Sequence, residues 1–195
     1  MKSICVFCGA NAGNRPLFAD VARQTGTLLA QRGYTLVFGG GRVGLMGAIS
    51  SAARAAGGEV IGVIPTALQK KELAYRSVDL TELVVVGSMH ERKARMAALA
   101  DGFIALPGGY GTIEEICEMI TWAQLGIHRK PCGLANVDGY FDGLLAQFDH
   151  AVAEGLLRTP HRGLVVAAAT PDALLDAMLA WKPPVLEFRL DWQST

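Results

Sequence analysis

Short, continuously apolar runs alternate along this chain with longer segments whose apolar residues recur at helical spacing. The runs Ser3–Cys8, Thr35–Phe38, Glu59–Ile64, Glu82–Val86, Gly102–Leu106, Cys132–Asn136 and Leu164–Ala167 read as strands. Helical patterns fall between and after them, near Pro16–Arg32, Leu45–Ala56, Met89–Ala100, Ile113–Leu125, Phe141–Glu154 and Pro171–Ala180. This alternation predicts βαβ units. The run Gly102-Phe103-Ile104-Ala105-Leu106 lacks a polar alternate, as expected of a strand covered on both faces. Gly33, Gly57-Gly58 and Gly155 stand where helices should stop. The expected fold is therefore α/β and doubly wound, a mostly parallel sheet with helices on both faces.

Two stretches break the rhythm. Pro65–Asp79 carries Gln69, Lys70, Lys71, Glu72 and Arg76 without a clear period, and reads as an exposed loop or short helix. From Lys182 onward, Pro183-Pro184 open a tail. The length of 195 residues suits one domain over residues 1–181 with a tail at 182–195. A hydrophobic content of 51% allows a sizeable core without staples.

Eighteen basic residues balance eighteen acidic ones, so no overall field draws the chain to nucleic acid or to a membrane surface. A local anion site remains compatible with that neutrality. No segment approaches a membrane span, and the apolar run after Lys2 is too short for a signal peptide. A cytoplasmic protein is the expectation. Cys5 and Cys8 form a C-x-x-C inside a strand pattern, where neither a redox pair nor a zinc site belongs. With Cys117 and Cys132 they read as plain thiols in a reducing compartment.

Two glycine loops carry candidate chemistry. Gly39-Gly40-Gly41-Arg42-Val43-Gly44 contains G-x-G-x-x-G and opens a helix, so backbone N–H groups could approach a phosphate. A dinucleotide site also needs a carboxylate at the end of the next strand, and Val63-Ile64-Pro65-Thr66 has none. A structural turn and a mononucleotide contact at Gly40 and Gly41 stay open, with nicotinamide binding the weakest reading. The second loop, Pro107-Gly108-Gly109-Tyr110-Gly111-Thr112, follows an apolar strand and precedes a helix. Loops at the carboxyl ends of parallel strands are where open α/β sheets bind ligands. Thr112 and Glu115 fit a T-x-x-E capping box, which is one explanation of Glu115; catalysis is the other. Glu114 and Glu118 suit the helix dipole without further explanation.

Ser88-Met89-His90-Glu91 forms another capping box, and in the helix that follows Arg92 falls on the apolar stripe of Met89, Met96 and Leu99. A guanidinium there calls for a carboxylate or an anionic ligand, unless it snorkels to the surface. Arg95 lies further round and reads as solvated. The four histidines are scattered, and no pair has metal-ligand spacing.

Taken together, Gly39–Gly47, Met89-His90-Glu91-Arg92-Lys93, Pro107–Thr112 with Glu115, and Thr121-Trp122-Ala123-Gln124-Leu125-Gly126-Ile127-His128 resemble the LONELY GUY family. Its members are cytokinin riboside 5′-monophosphate phosphoribohydrolases, long labelled possible lysine decarboxylases. The resemblance covers about residues 1–181, apart from Lys70–Asp79, where Glu72 has no assigned register. It implies a Rossmann-like fold and a homodimer with its site near the subunit interface. It also implies that Arg92 and Glu115 are the catalytic pair. Gly108, Gly109, Tyr110, Gly111 and Thr112 would hold the phosphate of a nucleoside monophosphate, with Lys93, Thr121, Gly40, Gly41 and Met89 contributing to nucleotide binding. No metal or organic cofactor is implied. A decarboxylase would use a pyridoxal Schiff-base lysine, and no lysine stands in a suitable phosphate-pocket context. The implied reaction is hydrolysis of the N-glycosidic bond of adenosine 5′-monophosphates, N6-modified ones included. A non-catalytic nucleotide carrier built on the same loops is the alternative.

Overall fold

The computed structural model describes residues 1–69 and 80–185. β1 (Ser3–Phe7) leads into α1 (Pro16–Gln31), β2 (Thr35–Phe38) into α2 (Gly44–Ala55), and β3 (Val60–Pro65) into the one-turn α3 (Thr66–Gln69). β4 (Glu82–Val86) is followed by α4 (Met89–Leu99), and β5 (Gly102–Ala105) by α5 (Tyr110–Gln124). β6 (Cys132–Ala135) precedes α6 (Asp142–Ala153) and the one-turn α7 (Thr159–Arg162), and β7 (Val165–Ala168) precedes α8 (Pro171–Ala180). The strands form one sheet in the order β4-β3-β2-β1-β5-β6-β7, and every neighbouring pair is parallel.

Side chains alternate faces along a strand, and β1 shows how this divides the core. Ile4, Val6 and Cys8 join a cluster with Val21 and Leu29 of α1, Ile49 of α2 and Leu175 of α8. Cys5 and Phe7 join the opposite cluster, with Met96 of α4 and Ile116 and Met119 of α5. Both faces are thus covered by helices, which is why the central strands are apolar without alternation. The expected strands are all present within a residue or two of their anticipated ends. Helices α3 and α7 are added, and α3 fits the loop-or-short-helix reading of the stretch from Pro65. Residues 70–79, Glu72 among them, and 186–195 of the tail lie outside the described residues.

One expectation is corrected. Helix α5 begins at Tyr110 rather than Ile113, with Gly109 as its N-cap and no side-chain cap bond. Thr112 therefore lies inside the first turn and is buried, so the T-x-x-E capping box does not form. The Pro107-Gly108-Gly109 turn carries the chain directly into the helix and leaves the first-turn amides uncapped by side chains. The box at Ser88 does form. Ser88 Oγ accepts from Glu91 N at 3.1 Å, and the Glu91 carboxylate reaches back to Gly87 N at 2.7 Å.

Phe103 of β5 is fully buried and stacks on Phe7 with ring centroids 6.3 Å apart. Phe103→Ala should lower unfolding stability by about 3–5 kcal/mol in a denaturant titration; a loss below 1 kcal/mol would contradict this account of the core.

Candidate active site

β1 and β5 are neighbours, but α1 covers one face of the sheet and α5 the other. Their connecting loops diverge and leave a crevice at the carboxyl ends of the strands. A cleft of about 410 Å³ opens there, large enough for a nucleotide-sized ligand. Phe7 at the end of β1 and Cys8 just after it line the cleft, and the loop Gly9-Ala10-Asn11-Ala12-Gly13 forms one wall. Pro107, Gly108, Gly109, Gly111 and Thr112 form the other, with Phe18 and Tyr140 also on the lining. Gly39, Met46, Arg92 and Glu115 also line it.

Arg92 is 8% exposed. Its Nε donates to Val63 O at 3.2 Å, its Nη2 donates to Gly39 O at 3.3 Å, and Nη1 lies 3.6 Å from Glu115 Oε1. The apolar stripe on α4 calls for such a partner, and the structure supplies a carboxylate and two backbone carbonyls, one within β3 and one just past β2. Gly39 leaves room for the guanidinium: a Cβ there would stand 1.9 Å from Nη2 of Arg92 and would displace it. Burial pushes the Glu115 carboxyl above the ordinary carboxylate range, against the pull of Arg92; the neighbouring Glu114 and Glu118 raise it further. A carboxylate poised in this way can accept a proton or stabilise a developing positive charge.

Lys93 lies next in sequence but faces elsewhere. Its ammonium pairs with Glu114 and, at 3.1 Å, with Glu118, tying α4 to α5. Burial works against the ammonium, but these two carboxylates hold it above the ordinary lysine range. Lys93 does not line the cleft, nor do Gly40, Gly41, Met89, Tyr110 and Thr121. Gly40 has a φ of +73° and packs against Ile64; Gly41 is buried. Of the first glycine motif, Gly39 alone reaches the cleft, at its one close approach to Arg92. Met89 is half exposed with its Sδ 3.8 Å from Arg92 Nη1, and Tyr110 is almost fully exposed. The Thr121 hydroxyl donates to Cys117 O at 2.8 Å, beside a separate groove that includes Ile120, Phe148 and Leu157.

The sequence reading missed the loop after β1, together with Phe18, Met46 and Tyr140. Apart from the Tyr140 phenol these positions carry no titratable side chain, but the switch-point rule applied to β1 would have found the loop. All four cysteines are free, and Cys5, Cys8 and Cys132 are buried. Burial pushes the Cys8 thiol well up and that of Cys132 up to about 12, so neither is poised as a nucleophile. Among the described residues no helix is long and apolar enough to cross a membrane.

Fold and cleft together define a Rossmann-like α/β protein with a buried arginine–glutamate pair at its switch point. A family model described as "Possible lysine decarboxylase" matches residues 46–178. A probable cytokinin riboside 5′-monophosphate phosphoribohydrolase of Oryza sativa subsp. japonica is 57% identical over 175 residues, covering 90% of this chain and 78% of that protein. A cytokinin riboside 5′-monophosphate phosphoribohydrolase of Arabidopsis thaliana is 49% identical, covering 99% and 89% of the two chains. The chain belongs to the LONELY GUY family. Among solved structures, the molybdenum cofactor binding protein of Rippkaea orientalis superposes with a TM-score of 0.69 at 25% identity, over 92% of this chain and 97% of that one. The molybdenum cofactor carrier protein of Chlamydomonas reinhardtii gives 0.69 at 24% identity, over 92% and 98%, and shows the shared fold.

Two stability measurements test this geometry. Because folding raises the Glu115 pKa, its ionised form costs stability near neutral pH, and that cost vanishes at acid pH where both states are protonated. Glu115→Gln should therefore raise the melting temperature near neutral pH, with the difference shrinking as pH falls below the ordinary carboxylate range. Lys93→Met leaves Glu118 Oε2 sealed from solvent without its cation, and should cost about 1–3 kcal/mol in chemical denaturation.

Proposed function

We propose that this chain hydrolyses the N-glycosidic bond of adenosine 5′-monophosphates, N6-modified cytokinin nucleotides among them, releasing ribose 5-phosphate and the free base. The observation that carries the reading is the buried Arg92–Glu115 pair, set 3.6 Å apart beside a glycine-rich helix start. The names of relatives up to 57% identical support the substrate class.

N-ribosyl cleavage passes through an oxocarbenium-like transition state, as glycoside hydrolysis does. In this scheme the 5′-phosphate lies on the Gly108–Thr112 loop, where uncapped amides and the helix N-terminus favour negative charge. Binding energy from that remote group then positions C1′ of the ribose. Glu115 stabilises the positive charge developing on the ribose and orients the attacking water. The water oxygen bonds to C1′ as the bond to the base breaks, and the proton lost by the water ends on the base nitrogen. Glu115 relays that proton, which its raised pKa suits. Arg92 orients the nucleotide and assists departure of the base. No metal or organic cofactor enters the scheme.

The active form in this reading is a homodimer of the residue 1–181 domain, with the site near the subunit interface. Two features support it. Helix α6 has no fully buried residue although Leu144, Leu145 and Phe148 lie on it, and Thr121 stands apart from its own chain's cleft. Sedimentation at micromolar concentration tests the assembly. The cytoplasm suits its four free thiols.

A carrier that binds nucleotide without chemistry is the second reading, favoured by the cofactor-carrier names of its fold neighbours. One assay separates the two: incubation with AMP and with its N6-isopentenyl analogue, followed by chromatography for released base. Glu115→Gln should lose at least about 100-fold in turnover while retaining nucleotide binding. Tight AMP binding without base release would favour the carrier, and undiminished turnover in Glu115→Gln would remove Glu115 from the mechanism.

A further inference from the structure

The reaction scheme leaves the segment after β6 unused. Residues Val137–Gly139 form a 3-10 turn in which Asp138 has φ +51°, among the described residues the one positive φ outside glycine. Asn136 locks the turn, its Oδ1 accepting from Phe141 N at 2.7 Å and its Nδ2 donating to Asp142 at 2.7 Å. Arg15 adds an ion pair to Asp138 at 2.7 Å. A left-handed residue other than glycine persists where its surroundings over-determine it, and here the product is the placement of Tyr140. Its ring packs edge-on against Phe18, with centroids 5.5 Å apart, and against Phe141 at 5.1 Å. Its hydroxyl donates to Gly108 O at 2.7 Å, across 32 residues of sequence.

Gly108 and Gly109 share a peptide whose two flanking residues lack side chains, so its plane can turn over at low conformational cost. In a trans peptide the carbonyl of Gly108 and the N–H of Gly109 point in opposite directions. One orientation offers an anion the N–H; the other offers it a repelling carbonyl oxygen. We propose that Tyr140 is a positioning residue for anion binding, fixing the Gly108–Gly109 peptide so that the loop presents donors to the substrate phosphate. This rests on the functional reading above, in which that loop holds the 5′-phosphate. The exposed position of Tyr140 on the cleft also makes the lock reversible, because water can compete for the carbonyl when the ring moves.

The test is Tyr140→Phe, which keeps the ring contacts and removes the hydroxyl. Calorimetry would compare AMP and ribose 5-phosphate with adenosine, which lacks the phosphate; the melting temperature and steady-state base release would be followed in parallel. The variant should bind AMP and ribose 5-phosphate about three- to tenfold more weakly, the range expected for one lost hydrogen bond. KM should rise by a similar factor with kcat within about twofold, and adenosine binding should not change. Asn136→Ala, which unlocks the turn without touching the loop, should give the same phosphate-selective loss. Unchanged AMP affinity in Tyr140→Phe would overturn the assignment, as would an equal loss for adenosine, which would mean a merely structural role. Failure of the wild-type chain to bind any phosphate ligand would overturn the functional reading, and this assignment with it.

Discussion

The site depends on burying one guanidinium. Taking an arginine out of water is costly unless its donors and its charge are met, and Arg92 meets these demands with two backbone carbonyls and one carboxylate. One carbonyl immediately follows β2 and the other lies within β3, so the arginine reads the register of the sheet. The carboxylate belongs to α5, so it also sets the distance between that helix and α4. A side chain at Gly39 would push the guanidinium out of the place where Nη2 arrives. Lys93, clamped by Glu114 and Glu118, repeats the α4–α5 tie on the next face and neutralises two carboxylates that otherwise crowd Glu115. Removing the guanidinium would leave Glu115 buried with its charge uncompensated.

Much of this was legible in the sequence. Strands covered on both faces announce themselves as apolar runs, and the order of strands and helices is enough for a parallel sheet. Arg92 stood out because a charge on an apolar stripe requires a partner, although its three particular partners lie 23–53 residues away and had no local signal. The T-x-x-E pattern at Thr112 misled for a physical reason. Capping boxes are local, but the preceding Pro107-Gly108-Gly109 turn starts the helix one turn earlier, and the competing geometry prevails. The loop after β1 carries no side-chain signal, because its residues act through backbone and shape, and only the switch-point rule points to it. Tyr140 was invisible because its bond to Gly108 exists only once β5 and β6 lie side by side. Lys93 and Thr121, implied as nucleotide ligands by resemblance, lie off the cleft of a single chain.

The scaffold alone does not choose the chemistry. Proteins named for carrying a molybdenum cofactor superpose on this sheet over nearly its whole length. What distinguishes a hydrolytic reading is the placement of an ionisable carboxylate where positive charge would develop, held above its ordinary pKa by burial. A carrier needs the anion cradle; it has no use for a carboxylate destabilised in this way.

The pH dependence of kcat/KM for base release from an adenosine 5′-monophosphate tests that claim most directly. The account predicts an acid limb whose midpoint lies above the ordinary carboxylate range, because Glu115 must be ionised to act and burial makes ionisation harder. In Glu114→Gln, which removes a neighbouring negative charge, the limb should move to lower pH. A profile that stays flat through the acid range, with the protein still folded, would contradict the role assigned to Glu115.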